Sequence, residues 1–157
     1  MPRPSVYKPI LVGGLIAGAL DITYACVHTY IRLGWTPKRL LQSVAAGALG
    51  RDAAVAGAYK TAALGLALHF LIALIAATVY VLASRVIPFM ILQPAIAGIL
   101  FGLCVYAFMN CVVLRLSAIH LTTWPWSYPK SALIGGLLIH MLGIGLPIAL
   151  VARRYSK

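Results

Sequence analysis

The chain has 157 residues, of which 62% are hydrophobic and 10% are charged, and its mean hydropathy is +0.97. A soluble domain carries about 25% charged residues and roughly 45–50% apolar ones, so the composition excludes an ordinary soluble protein. Thirteen Lys and Arg against two acids give a net charge of +11. In a hydrophilic chain this charge would indicate nucleic-acid binding. Here the basic residues lie at the ends of apolar runs, where anionic lipid headgroups attract each by about 1 kcal/mol, so we expect a lipid bilayer and no nucleic acid as the partner.

Four apolar runs approach the ~20 residues that a helix needs to cross a bilayer. The composition and these runs predict an all-α integral membrane four-helix bundle, formed as one transmembrane domain over residues 1–157. The first twenty residues imitate a secretory signal, but we expect them to be retained as a transmembrane helix. The predicted spans cover about residues 9–32, 60–85, 92–115 and 130–152.

The connection between the first two spans predicts a further helix at about 37–49. Thr36 followed by Pro37 is a typical helix start. Leu40, Leu41, Val44 and Ala45 form an apolar face, and Lys38, Arg39 and Gln42 lie elsewhere, so we expect an amphipathic helix in the membrane interface. With four spans, this helix shares one side with the connection at 117–129, and both termini lie on the other side. Basic residues number six on one side and seven on the other, so the positive-inside rule leaves the orientation open.

Polar side chains interrupt every predicted span. An Asp at the centre of a membrane helix costs about 2.5–3.5 kcal/mol, so such groups persist where they face the bundle interior. Five such residues occur in the spans. At a helical rise of ~1.5 Å per residue, they lie ~6–16 Å below the membrane surface on the side of the interfacial helix. We predict that they form one polar cluster. Its members are Asp21, His28, His69, Asn110 and His140.

Glycines with helical spacing accompany these polar residues. Gly14 and Gly18 lie on the stripe that leads to Asp21, and Gly98 and Gly102 lie on the stripe that leads to Asn110. Small residues let helices approach closely in lipid, where packing drives association. We therefore expect these four glycines to mark helix-packing faces, with the polar groups turned inward.

Three interpretations of the polar cluster remain open. In the first, the residues only bond to one another and fix helix register. In the second they carry protons or cations, with Asp21 as proton acceptor and His69 and His140 as relay or ligands. In the third, His69 and His140 ligate a b-type haem, or the two bind a divalent transition metal together with Asp21. No motif of a catalytic site is present, so we do not expect an enzyme.

Three segments carry a resemblance to known proteins. At LGLALHFLIAL, YAFMNCVVLRLSA and GLPIALVARR the chain resembles an uncharacterised family of small bacterial inner-membrane proteins. The likeness runs from about Gly14 to Arg154 and includes the positions of Asp21, His69, Asn110 and His140. It implies four helices in a bacterial inner membrane and assigns no role to any residue.

These observations favour a non-enzymatic multi-pass protein that serves as an accessory or assembly subunit of a larger membrane complex, or that forms a homo-oligomer along its glycine stripes. The alternative is a small transporter, a proton or metal-ion conductor, or a haem binder that acts through the polar cluster. The sequence leaves the ligand and the partner open.

Overall fold

The computed structural model describes residues 6–156. The chain is 84% helical and all-α, and no strand occurs in the described range. The basic residues Arg3 and Lys157, predicted to lie at the membrane surface, fall outside that range. The helices are α1 (Tyr7–Leu33), α2 (Pro37–Leu49), α3 (Arg51–Ala56), α4 (Ala58–Ala83), α5 (Phe89–Leu92), α6 (Pro94–Leu116) and α7 (Lys130–Arg154), with a 3₁₀ turn at Pro125–Ser127.

Four of these helices, α1, α4, α6 and α7, are long and apolar enough to cross a membrane. Their ends lie within two residues of the predicted span limits. Most of these helix limits fall where an apolar run meets basic residues. Within the run the chain is helical, because a helix satisfies its own backbone hydrogen bonds in lipid. Gly34 ends α1 in a left-handed conformation with φ of 65°, which glycine adopts without the strain of a Cβ.

The long helices pack in the order α4, α1, α7, α6, and α2 lies against α4. Helices α4 and α6 at the ends of this row make little direct backbone contact in the described chain. Their side chains meet at Tyr80 and Phe101, with ring centroids 5.1 Å apart. The main apolar core surrounds this contact between Tyr80 and Phe101 and joins all four long helices. Its fully buried members are Ala17, Ala77, Tyr80, Ile148 and Ala149.

Glycines occupy the close approaches between helices. A Cβ on Gly14 would lie 2.8 Å from a methyl carbon of Leu74, and one on Gly18 would lie 2.7 Å from the Phe70 ring. On α6, a Cβ on Gly98 would meet Ala149 at 2.8 Å, and one on Gly102 would overlap the His140 carbonyl. The four glycines therefore lie where α1 meets α4 and where α6 meets α7.

Two long helices contain a widened turn that the sequence pattern did not predict. α6 forms a π turn at Met109–Val113, and α7 forms one at Ile139–Gly145. In α7 the residue at 147 is proline, which cannot donate to the carbonyl of Gly143 four residues earlier. π turns occur often at functional sites. These two contain Asn110 and His140.

Helix α2 begins where predicted, and the Thr36 hydroxyl accepts a hydrogen bond from the Arg39 N–H at 3.4 Å. Gln42, predicted to lie away from the apolar face, is buried. Its Nε2 lies 3.1–3.2 Å from the carbonyl oxygens of Ala54, Val55 and Ala58. The Thr61 hydroxyl also donates to the carbonyls of Ala54 and Ala58. Gln42 and Thr61 together therefore supply donors to the carbonyls at the short break between α3 and α4.

Candidate functional site

Asp21 on α1 and His69 on α4 form the closest pair among the predicted polar residues. The carboxylate Oδ2 lies 4.0 Å from His69 Nδ1, and the side chains are 18% and 13% exposed, respectively. His69 Nε2 lies 2.9 Å from the Gly18 carbonyl oxygen. Because a carbonyl can only accept, Nε2 must carry a proton.

With Nε2 protonated, neutral His69 presents the lone pair of Nδ1 toward Asp21. The 4.0 Å between Nδ1 and the carboxylate is too long for a direct hydrogen bond, so the contact between the two side chains is electrostatic. The titratable groups facing Asp21 are His69 from α4, His140 from α7 and Tyr24 on α1 itself.

His140 lies in the π turn of α7. Its Nδ1 donates to the Gly136 carbonyl oxygen at 2.8 Å, and its ring meets the Tyr106 ring edge-on with centroids 5.2 Å apart. The Nδ1–H bond fixes the tautomer, so Nε2 carries the lone pair. That Nε2 has no hydrogen-bond partner among residues 6–156. It is therefore available to accept a hydrogen bond.

Asp21, His69 and His140 all line one cavity of about 530 Å³, which we call the central cavity. Its remaining wall is almost entirely apolar and includes residues of α1, α4, α6 and α7. Trp35, Ser43 and Ile119 border it at the end nearest α2 and the α6–α7 connection. No Lys or Arg is among the lining residues that the structure describes. In a chain with a net charge of +11, the cavity thus presents no fixed positive charge.

The central cavity ends at the apolar core. Ala17 and Ile144 belong to both the cavity wall and the core. In the core cluster of the described chain, Tyr80 alone has a polar side chain, and its hydroxyl donates to the Met90 carbonyl at 2.9 Å. The cavity therefore extends from α2 to the apolar core, which bounds it on the side of the chain termini.

His28 and Asn110 lie away from this cavity. His28 Nδ1 lies 3.3 Å from the Tyr24 hydroxyl, and the two rings stack. Asn110 is buried, donates to the Tyr106 carbonyl at 2.9 Å and accepts from the Tyr128 hydroxyl at 3.3 Å. The structure thus gathers three of the five predicted polar residues around one cavity and gives the other two local partners.

The sequence pattern did not indicate the residues at the α2 end of the cavity. Trp35, which follows α1, lines the cavity there. Ser43 and Gly47 on α2 and Ser117 after α6 also line it. One feature of the sequence indicates this part of the cavity. Small residues recur in α2 at 43, 47 and 48, on the face that lines the cavity.

The donor atoms do not suit the haem or metal alternatives. Both ring nitrogens of His69 face oxygen atoms, on Gly18 and on Asp21, so an axial bond to haem would require His69 to abandon one of them. No group of three or more His, Cys, Asp or Glu side chains with metal-binding geometry occurs in the described part of the chain. Of the two histidines, His140 alone presents a free ring nitrogen.

Comparison with known proteins yields no match: no family model, no curated protein and no solved structure resembles the chain significantly. The cavity and its side chains are therefore the features of this molecule that point to a function.

Proposed function

We propose that the chain is a multi-pass integral protein of a bacterial inner membrane that acts without catalysis by binding a small ligand in the central cavity. The four long apolar helices support a membrane location, and the resemblance to bacterial inner-membrane proteins supports the particular membrane. In this arrangement α2 lies in the interface and the long helices form a bundle across the bilayer. The observation that carries the proposal is the Asp21–His69 pair on the wall of an otherwise apolar cavity.

We infer that the pair shares one exchangeable proton across the 4.0 Å between its facing atoms. An unpaired carboxylate in lipid is costly, and the shared proton leaves the pair neutral or zwitterionic, so the apolar wall tolerates it. Ligand binding next to the pair changes its surroundings and hence its affinity for that proton. Binding in the cavity is therefore linked to proton uptake or release.

The closed end of the cavity favours binding over conduction. A proton or ion path requires polar groups or water along the whole thickness of the membrane. Beyond Ala17 and Ile144 the described helices pack into the apolar core, whose one polar side-chain group, the Tyr80 hydroxyl, already donates to the Met90 carbonyl. We therefore assign a binding role rather than that of a proton conductor or ion channel.

Infrared difference spectroscopy tests the proton site, because the chain has only two acids, Asp21 and Asp52. With ¹³C-labelled aspartate, the carboxyl bands can be followed against pH in lipid nanodiscs. We expect one band to vanish in Asp21→Asn and to change its pH response in His69→Leu. Asp52→Asn, a substitution at an exposed acid, serves as the matched control and leaves that band unchanged. An Asp21 band that does not respond to His69→Leu would contradict the shared proton.

An accessory role in a larger complex and a homo-oligomeric state both remain proposals. They are compatible with a binding cavity, because a ligand-binding subunit can serve a complex. Purification in a mild detergent, followed by mass spectrometry and size analysis, distinguishes a stable partner from a second copy of the chain.

A further inference from the structure

The outer surface between α4 and α6 carries an apolar groove of about 410 Å³, which we call the lateral groove. It lies where these two helices make little direct contact. Ile75, Val79 and Phe108 form its outer parts and are 53%, 53% and 58% exposed, respectively. In a membrane this groove faces the acyl chains.

The lateral groove and the central cavity adjoin each other. Five side chains line both: Ile72, Ala76, Val105, Met109 and Val113. Two come from α4 and three from α6, so the wall between groove and cavity is the seam between these helices. The side chains are aliphatic except for Met109, whose flexible thioether adapts to a neighbouring chain. The seam therefore separates the lipid-facing groove from the cavity that Asp21 and His140 line.

Polarity changes sharply from the lateral groove to the central cavity. The groove has a purely apolar lining, whereas Asp21, His69 and His140 face the cavity. His140 Nε2 presents a lone pair, so it pairs best with a donor such as a hydroxyl. A phosphate head is disfavoured because the cavity lining contains no Lys or Arg to neutralise it.

From this placement we propose that the ligand is a lipid-soluble molecule with one apolar chain and an uncharged, hydroxyl-bearing head. The head occupies the central cavity beside Asp21 and His140, and the chain lies across the seam in the lateral groove. The inference rests on the proposed binding function and names its ligand class. Quinols and long-chain isoprenoid alcohols have this chemistry.

Three probes with the same branched carbon skeleton test the assignment: farnesol, farnesyl phosphate and the saturated hydrocarbon farnesane. Each is added at equal bilayer concentration to the protein in nanodiscs, and the thermal midpoint reports binding, because a ligand of the folded state stabilises it. We expect farnesol to raise the midpoint more than the other two. His140→Leu removes one hydrogen bond, worth about 1–1.5 kcal/mol, and should weaken farnesol binding about tenfold.

A matched pair of substitutions on α4 tests the groove. Ala76→Leu fills the seam, whereas Ala67→Leu adds the same atoms at an exposed position outside both groove and cavity. We expect the farnesol effect to be lost in Ala76→Leu and retained in Ala67→Leu. Both variants are first shown to unfold cooperatively without the probe.

The outcomes separate the inference from the function on which it rests. Equal effects of farnesol and farnesane in every variant would mean partitioning into lipid and would overturn the ligand class, and so would stronger binding of farnesyl phosphate. If the infrared experiment shows the shared proton while farnesol fails, the proposed function stands and only the ligand class is wrong. If the shared proton is absent, the proposed function itself fails.

Discussion

Substitution of Gly102 by alanine tests the packing that places His140 at the cavity. A Cβ on Gly102 would overlap the His140 carbonyl oxygen and would lie 2.7 Å from both the carbonyl carbon of His140 and the Cα of Met141. All three atoms are backbone, so no side chain can rotate away. Ordinary contact begins near 3.4 Å, and α6 and α7 would have to separate by several tenths of an ångström or more.

Gly13→Ala is the matched control, because Gly13 is also a buried glycine of a long helix. There a Cβ would lie 3.5 Å from the Cα of Ile148, an ordinary van der Waals contact. Overpacking costs about 1–3 kcal/mol, whereas alanine in an unstrained helix gains roughly 0.5–1 kcal/mol over glycine. Both variants gain this propensity, so only the overpacking cost separates them, and at ~2–4 °C per kcal/mol we expect the thermal midpoint of Gly102→Ala in detergent to fall roughly 2–12 °C below that of Gly13→Ala. Equal midpoints would refute the close approach of α6 to the π turn.

Three further substitutions test local features. Gln42→Leu should destabilise the chain by about 1–3 kcal/mol in chemical unfolding, because three carbonyls lose the Gln42 donor and the Thr61 hydroxyl reaches only two of them; an unchanged midpoint would contradict that role. Ala58 has φ of 52°, a conformation that costs roughly 1–2 kcal/mol in a non-glycine residue, so Ala58→Gly should raise stability, whereas Ala53→Gly in the regular helix α3 should lower it. Burial raises the pKa of the Tyr128 hydroxyl above its ordinary value of 10.0, an effect that nearby Arg115 opposes and Cys111 reinforces. The resulting stability is present below pH ~10 and is lost as pH rises through the folded pKa, so Tyr128→Phe should flatten the fall in thermal midpoint above pH ~10.

The limits of the long helices could be predicted from sequence because their signals are local. Each apolar run has the length of one membrane crossing, and basic residues bound it. The start of α2 is equally local, since Thr36 and Pro37 supply the cap and the first helical position. None of these features depends on which helices are neighbours.

Features that depend on neighbours could not be predicted. Gln42 looks like a surface residue of an amphipathic helix, but its acceptors lie 12–16 residues further along, and only the fold of α3 against α2 brings them close. The π turn around His140 coincides with the close packing of α6 at Gly102. No residue pattern predicts such a shift from α-helical to π-helical hydrogen bonding. For the π turn at Asn110 on α6, the sequence offers no proline or other local cause.

The candidate site shows the same division. Spacing along each helix predicted a similar depth for Asp21, His69 and His140, but depth does not determine which helices are adjacent. Because α1 lies between α4 and α7, Asp21 can face residues on both. Asn110 is on α6, beyond α7, and its Tyr128 partner comes from the connecting segment. A cavity is a volume left unfilled by tertiary packing, so composition alone could not indicate one.

A double-mutant cycle on Asp21 and His69 measures whether these groups act as one unit. Asp21→Asn, His69→Leu and the double variant are compared with the parent chain by unfolding in mixed micelles. Hydrogen bonds within membranes are worth about 0.6 kcal/mol on average and at most about 1.7 kcal/mol, and removal of one partner of a buried charge pair costs more. At a separation of 4.0 Å we expect a coupling of about 1 kcal/mol, and it should change with pH because it depends on a shared proton. A coupling near zero at every pH would mean that each group satisfies itself alone, and the cavity wall would then hold two independent polar residues rather than a proton-binding pair.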